Sequence, residues 1–219
     1  INEQFLENGI IAPRNSIFTK EKEIKNLLGS LAENLSKDKN IKRIYVKSNS
    51  NKEEYFISDN VVIELIHSKL SLKSLSETWI KLLFISSLEE KITKTKVIFR
   101  KENQYKSEIL QTPGQLQSKK ILEEYINIFK NYSDKCLPLP PESTYKYVEA
   151  KMQLKNEKKA FSDKWNGNKT FTKGERDNSV IQMCFGNKKE GDFFFGNDEF
   201  DDLSFRLYAP LFEALKNNV

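Results

Sequence analysis

The proline run Pro138-Leu139-Pro140-Pro141 constrains the fold of this chain more than any other segment. Proline fixes φ and has no amide hydrogen, so the run forces an extended connector. Before it, apolar residues at helical spacing predict a helix over residues 121–129. After it, the same spacing predicts one long helix that runs to Trp165 and is capped by Ser143. The second half of the chain should therefore be mainly helical.

The first half has the pattern of a small sheet. Runs rich in β-branched and aromatic residues occupy 41–47, 54–57 and 61–67, and polar turn signals separate them, which predicts an antiparallel meander. Residues 95–100 and 104–110 predict a hairpin. Together these runs predict about five strands.

Two helices accompany the predicted sheet. Apolar residues recur at helical spacing over residues 16–36, where the intervening positions are polar. A second helical pattern begins at Leu75 and includes Trp79 and Leu83. A helix packed on a sheet is the expected arrangement.

Length and composition indicate a globular protein. The chain has 219 residues, enough for one large domain or two small ones. Its 38% hydrophobic content, with 15 Phe and 8 Tyr, argues against global disorder. No apolar run approaches the length of a membrane span, and the N-terminus lacks a secretory pattern, so we expect a cytoplasmic protein. Because the sequence begins at Ile1, we expect a domain excised from a longer chain.

The cysteines and the single histidine do not predict a metal centre. Cys136 and Cys184 lie 48 positions apart without C-x-x-C spacing, and His67 is the one imidazole. This pattern supports neither a zinc site nor a disulfide framework, and it predicts buried free thiols in a reducing compartment. His67 follows a strand beside no obvious nucleophile, so we expect a packed or hydrogen-bonded structural role.

The charge pattern permits a nucleic-acid partner. The net charge is +5, from 36 basic and 31 acidic residues. Basic residues predominate from Lys151 to Arg176, and acidic residues predominate from Glu190 to Asp202. On the residues alone, a solvated helix face is slightly favoured over phosphate contact for the basic run. The candidate DNA contacts are Arg100, Lys101 and Lys106 around the hairpin, and Lys151, Lys155, Lys158, Lys159, Lys173 and Arg176 in the basic run.

Several segments, taken in order, resemble one known family. They are Val62 to Lys69 leading into Trp79, Tyr125 to Tyr132 leading into Leu137-Pro138-Leu139-Pro140, Ala160 to Gly167, Gly174-Glu175-Arg176-Asp177, and Ala209-Pro210-Leu211. Their order and spacing are similar to those of the C-terminal domain of the exodeoxyribonuclease V gamma subunit, the RecC family.

The resemblance implies an α+β fold of α/β sandwich-like form. Its core is a restriction-endonuclease-like mixed sheet flanked by helices, with a helical C-terminal extension. It also implies a single domain over residues 1–219, in which 1–112 form the nuclease-like sheet and helices and 113–219 complete it.

The same resemblance implies a function. The family's domain has the shape of a nuclease without nuclease chemistry, within an ATP-dependent helicase and nuclease that processes double-strand breaks for recombination. The implied role is DNA positioning and subunit docking, and the implied partners are RecB-like and RecD-like subunits and DNA. No cofactor is implied in this domain, because ATP and magnesium belong to the partner subunits. With this family in mind, phosphate contact by the basic run is the favoured interpretation.

An active metal-dependent nuclease is the alternative from the enzyme class. Such a site needs an acidic residue on one strand and a D/E-x-K on the next, because the carboxylates hold the metal and the lysine orients water. Asp59 and Glu64 are the candidate ligands, but Glu64-Leu65-Ile66 has no lysine at its third position. The E-x-K matches that exist fall on predicted helices. The chain also lacks a phosphate-cradling glycine motif, so we expect no nucleotide hydrolysis here.

The aromatic residues divide into core and surface candidates. Trp79 and Trp165 fall on apolar helical faces and are expected in the core. Phe193, Phe194 and Phe195 lie in a predicted loop, where they either cover a core edge or dock a partner subunit. A protein-interaction scaffold without DNA contact is a further alternative, and charge reversal at Lys155, Lys158 and Lys159 would distinguish it.

Overall fold

The computed structural model describes residues 14–38, 40–48, 51–168, 172–186, 191–195 and 198–216. The helices are α1 (Arg14–Ser36), α2 (Leu72–Leu88), α3 (Gln115–Asn131), α4 (Pro141–Met152), α5 (Glu157–Asn166), α6 (Ser179–Phe185), α7 (Asp192–Phe195) and α8 (Asp198–Lys216), with a 3-10 turn at Glu175–Asp177. The strands are β1 (Lys42–Ser48), β2 (Asn51–Ser58), β3 (Val61–Ile66), β4 (Lys94–Lys101), β5 (Gln104–Gln111), β6 (Gly167–Asn168) and β7 (Thr172–Lys173).

These elements form two compact units. The first contains the described residues up to Ser74 together with Lys94–Ile109, and the second contains Leu75–Thr93 and the described residues from Leu110 onward. The expected α+β class is confirmed, while the restriction-endonuclease-like form of the core stays a prediction. Among the described helices, none is both long and apolar enough to cross a membrane.

The main sheet has five strands in the order β1-β2-β3-β4-β5. β1 with β2 and β2 with β3 pair antiparallel, which confirms the predicted meander. The residues that join β2 to β3 are Asp59 at φ 47° and Asn60 at φ 68°, as a two-residue type I′ turn requires. β3 and β4 pair in parallel, with Ile66 opposite Phe99, so the predicted mixed sheet is confirmed.

In the first unit, polar bonds fasten α1 to β4 and β5. The Ser30 hydroxyl accepts a hydrogen bond of 2.8 Å from the Tyr105 amide, and the Asn34 side chain donates one of 3.0 Å to the Tyr105 carbonyl. Lys96 Nζ lies 2.6 Å from Asp38 Oδ2, and the two side chains are only 11% and 14% exposed. This ion pair is therefore a structural tie within the unit.

In the second unit, the predicted long helix from Ser143 to Trp165 is wrong. Two helices, α4 and α5, occupy this stretch and pack against each other. The chain breaks at Leu154, whose φ is 55°, and Asn156 then caps α5 by accepting a hydrogen bond from the Lys159 amide. Ser143 is not a cap, because α4 already begins at Pro141, where a missing amide hydrogen costs nothing.

An aromatic core holds the second unit together. Trp79 and Trp165 are both buried, as predicted, and Phe161 contacts the rings of Trp165 and Phe194. The core cluster comprises Ile128, Leu139, Tyr147, Val148, Phe161, Trp165, Phe194, Phe200 and Leu203. The connector residue Leu139 belongs to this cluster, so the proline run is anchored by burial.

The prediction of buried thiols is wrong. Cys136 and Cys184 are both exposed free cysteines. Their apolar chain neighbours Leu137 and Phe185 take up the packing positions against the core instead.

Candidate nucleic-acid interface

Four basic residues, Lys69, Arg100, Lys101 and Lys106, surround the turn between β4 and β5, and we call them the turn cluster. The three lysines are exposed and Arg100 is half-buried. A cavity of about 480 Å³ is lined by His67, Ser68, Lys69, Arg100, Glu102 and Asn103. A second cavity of about 240 Å³ is lined by Lys101, Glu102, Asn103, Gln104 and Lys106. The two cavities share Glu102 and Asn103, so they form one continuous basic surface.

The sheet topology creates this site. Because β3 and β4 are parallel, the residues that follow both strands emerge at the same edge of the sheet. The Arg100 amide donates a hydrogen bond of 3.0 Å to the Ser68 carbonyl, which joins the two segments at that edge. Arg100 Nε donates another of 3.0 Å to the Glu102 carbonyl, so the guanidinium is fixed beside the turn.

The turn cluster has an excess of positive charge. Within the described part of the chain, none of its four members forms an ion pair. Glu102 is the one acid that lines the two cavities, and it bonds Arg100 through its carbonyl oxygen. His67 is exposed, and its Nδ1 lies 3.4 Å from the Tyr105 hydroxyl, so the expected hydrogen-bonded role fits. An arginine with several lysines and a hydrogen-bonding turn can bind phosphate oxygens.

Lys151 and Arg176, two members of the C-terminal basic run, bond to Asp201 and Asn166. Lys151 Nζ lies 2.8 Å from Asp201 Oδ1, and it also lies over the rings of Tyr147 and Phe205. Although burial acts in the opposite direction, hydrogen bonds from Lys151 and Tyr147 lower the pKa of Asp201. Arg176 donates a hydrogen bond of 2.7 Å to the Asn166 side chain. Lys151 and Arg176 therefore bond to other residues of this protein. This agrees with the interpretation in which the basic run is a solvated surface rather than a phosphate contact.

The other four candidate DNA contacts in this run remain accessible. Lys155, Lys158, Lys159 and Lys173 are exposed. Lys155 donates a hydrogen bond to the Gln153 side chain, and Lys158 lies 5.4 Å from the centre of the Phe195 ring. These lysines stay predicted DNA contacts of the second unit.

The segment Gly174-Glu175-Arg176-Asp177, which carries part of the resemblance, has a structural role. The Glu175 carboxylate accepts hydrogen bonds from the Glu142 amide at 2.9 Å and the Ser143 amide at 2.6 Å, so it caps α4 from outside. Asp177 accepts a bond from the Gly174 amide. A Cβ at Gly174 would lie 2.5 Å from the Asn166 carbonyl carbon, so only glycine fits. The sequence analysis did not predict this cap. A signal for it was present, because Pro140 at the N-cap position has no side-chain acceptor and the first amides of α4 therefore need one from elsewhere.

The two candidate nuclease ligands occupy different parts of the sheet. Asp59 lies in the turn before β3, and Glu64 lies on β3, three residues beyond Val61. At about 3.3 Å per residue, that places Glu64 roughly 10 Å along the strand from Val61. Lys96 on the adjacent strand is paired with Asp38. In the ranges that the structure describes, no group of three or more His, Cys, Asp or Glu residues could hold a metal.

The three consecutive phenylalanines differ in burial. Phe194 is 2% exposed and belongs to the aromatic core, and Phe195 is half-buried and stacks on Tyr147 at 5.7 Å. Phe193 is 59% exposed. Two of the three thus cover the core, and Phe193 is the member with surface for docking.

Another cavity of about 480 Å³, in the second unit, has mixed charge. Its lining includes Lys135 and Arg206 but also Glu199 and Asp202. Arg206 is paired with Glu124 and Asp202, and the Tyr132 hydroxyl donates to Glu199. These acids make the cavity a poorer phosphate site than the turn cluster.

A family model matches much of the chain. The RecC C-terminal domain family matches residues 24–152, which is more than half of the chain. The match begins within α1 and ends with α4, so it includes the whole turn cluster. The similar segments after Ala160 lie outside it. No curated protein matches the chain. This match shows that the chain belongs to the RecC C-terminal domain family.

Proposed function

We propose that this chain positions DNA within exodeoxyribonuclease V by holding the phosphate backbone at the turn cluster. Membership of the RecC C-terminal domain family supports a RecC-related role in that complex. The observation that carries the proposal is the set of four cations without acidic partners at the shared edge of two parallel strands. Contacts of this kind fix the register of a nucleic acid without reading its sequence.

The proposed role involves positioning and docking rather than cleavage. Glu64-Leu65-Ile66 has no lysine at its third position, and Lys96 on the adjacent strand is paired with Asp38, which favours a domain that does not cut DNA. RecB-like and RecD-like subunits are the proposed protein partners, and Phe193 offers an exposed aromatic side chain for such contact. The exposed lysines of the second unit are proposed as further phosphate contacts.

A salt titration of binding to a forked DNA duplex tests the proposal. One variant changes Lys69, Arg100, Lys101 and Lys106 to Gln, and the matched control changes the exposed residues Lys91, Lys119, Lys120 and Lys130 to Gln. Both variants lower the net charge by four, so a general charge effect would weaken binding by both alike. We expect the turn-cluster variant to bind at least about tenfold more weakly and to lower the salt slope by about 3 to 4, since four phosphate contacts are lost and each releases about one counterion.

Equal losses in the two variants would contradict a localised site, since they would indicate a general charge effect. No DNA binding by the parent chain, with partner-subunit binding retained, would favour the interaction scaffold. Cleavage of linear DNA with magnesium that Asp59→Ala or Glu64→Ala abolishes would identify an active nuclease.

A further inference from the structure

His67 lines the larger cavity of the turn cluster, together with Lys69 and Arg100. Its side chain is exposed, but the chain around it is fixed at the edge of the sheet. The Arg100 amide donates a hydrogen bond of 3.0 Å to the carbonyl of Ser68, the residue after His67. The fold therefore places one imidazole ring beside two of the cations that are proposed to bind phosphate.

The His67 ring has a firmly anchored neighbour, Tyr105. Its Nδ1 lies 3.4 Å from the Tyr105 hydroxyl. Tyr105 is itself tied to α1, because the Ser30 hydroxyl accepts a hydrogen bond of 2.8 Å from its amide and the Asn34 side chain donates one of 3.0 Å to its carbonyl. A side chain that is already held in place loses less conformational entropy when a ligand packs on it. The exposed imidazole is thus a preorganised surface for a flat ligand group.

The cavity is larger than a phosphate group needs. Its volume is about 480 Å³, and pockets that hold small organic ligands measure roughly 300 to 1,000 Å³. Asn103 also lines it, and the exposed amide of this side chain can both donate and accept hydrogen bonds, as the edge of a base requires. A phosphate on Lys69 and Arg100 would leave room beside His67 for the sugar and base of the same nucleotide.

The charge of the cavity lining fits a nucleotide in this orientation. Lys69 and Arg100 contribute two positive charges, and Glu102 contributes one negative charge. The lining therefore attracts a phosphate on balance, while His67 and Asn103 offer the uncharged base a ring and an amide.

We propose that His67 stacks on one unpaired base of a DNA strand whose phosphate binds Lys69 and Arg100, so that the cavity is a one-nucleotide subsite for single-stranded DNA. This inference rests on the proposed function, because it requires the turn cluster to hold phosphate. Inside a duplex, neighbouring base pairs cover both faces of each base, so no face is available to His67. In a single strand the faces can be exposed, and histidine is among the side chains on which such bases stack. Every base has such a face, so the subsite selects unpaired strands of any sequence.

Fluorescence anisotropy with the full 219-residue chain tests the subsite. The probes are oligothymidylate, an abasic strand with the same sugar-phosphate backbone, and a duplex, all of the same length. We expect the parent chain to bind oligothymidylate at least about fivefold more tightly than the abasic strand, because one base stacked on an aromatic ring contributes that much or more.

Two substitutions at one position separate stacking from polarity. His67→Gln should remove the preference for oligothymidylate over the abasic strand, because glutamine is polar but has no ring. His67→Phe should keep the preference, because a phenyl ring also stacks on a base. Both variants should bind the abasic strand and the duplex as the parent does, since the phosphate contacts are intact.

Equal affinity of the parent chain for oligothymidylate and for the abasic strand overturns the inference and leaves phosphate binding by the turn cluster intact. A preference that survives in His67→Gln also overturns it, because another residue must then contact the base. If the parent chain binds none of the probes, the proposed function fails together with this inference. The comparison of probes on the parent chain needs no variant, so it is decisive even where a substitution impairs folding.

Discussion

Removing the Glu175 carboxylate should destabilise the start of α4. Both carboxylate oxygens accept backbone amides there, from Glu142 at 2.9 Å and from Ser143 at 2.6 Å. α4 has Pro140 at its N-cap position, so no local side chain can replace them. A lost cap typically costs about 1 kcal/mol, and the lost charge at a helix N-terminus adds up to about 1 kcal/mol. We expect Glu175→Ala to lower the free energy of unfolding by about 2 kcal/mol, and Glu175→Gln by about half as much.

Urea unfolding, followed by tryptophan fluorescence, measures this loss, because Trp165 is fully buried in the same unit. A loss of about 2 kcal/mol should also lower the melting temperature by about 4 to 8 °C. Glu213→Ala is the control, since Glu213 is exposed on α8 and its removal should change stability by less than about 0.5 kcal/mol. If Glu175→Ala and Glu213→Ala have the same stability, the external cap makes no contribution and the reasoning is refuted.

Three other perturbations test the fold. Gly174→Ala should lower the free energy of unfolding by about 3 kcal/mol, because the new Cβ would meet the Asn166 backbone. Gly29→Ala in α1 should raise it by about 1 kcal/mol, because a Cβ there meets nothing. Equal effects of the two substitutions in thermal melts would contradict this. Lys96→Met should lower the free energy of unfolding by about 3 kcal/mol, because it leaves Asp38 unpaired. Arg43→Met removes an exposed ion pair and should lower it by at most about 1 kcal/mol. Denaturant unfolding of the two variants measures the difference. Because the pKa of Asp201 is lowered in the folded state, its ion pair with Lys151 stabilises the fold above pH 3.8, and this stabilisation is lost as pH falls through the folded-state pKa. Asp201→Asn should therefore flatten the acidic part of a plot of unfolding free energy against pH. An unchanged acidic part would contradict a stabilising pair.

Local patterns predicted much of the fold. The meander was visible because turn residues such as Asp59-Asn60 separate β-branched runs, and α2 was visible because Trp79 and Leu83 repeat at helical spacing. The break between α4 and α5 was not predicted. Phe161 and Trp165 continue the apolar spacing of α4, which hides the break. Leu154 is 96% exposed and its residue type does not favour φ 55°; the helix end closes there because the Lys155 amide donates a hydrogen bond of 2.9 Å to the Ala150 carbonyl.

The candidate site was predicted in part. Arg100, Lys101 and Lys106 could be grouped because they flank one hairpin, but Lys69 joins them only through the parallel pairing of β3 and β4. In the basic run, the sequence did not show that Lys151 and Arg176 are bonded while their neighbours are exposed. Their partners, Asp201 and Asn166, come close to them only when the chain is folded.

The external cap has a consequence for biosynthesis. As the chain leaves the ribosome, α4 emerges before Glu175, which lies 32 positions after Ser143. Until Glu175 arrives, the amides of Glu142 and Ser143 have only water as an acceptor. A nascent chain that ends with α4 at Met152, where the family match also ends, would therefore contain the turn cluster and an incompletely secured helix. Completion of this unit must await the synthesis of its last third, which gives chaperones and partner subunits an interval in which to bind.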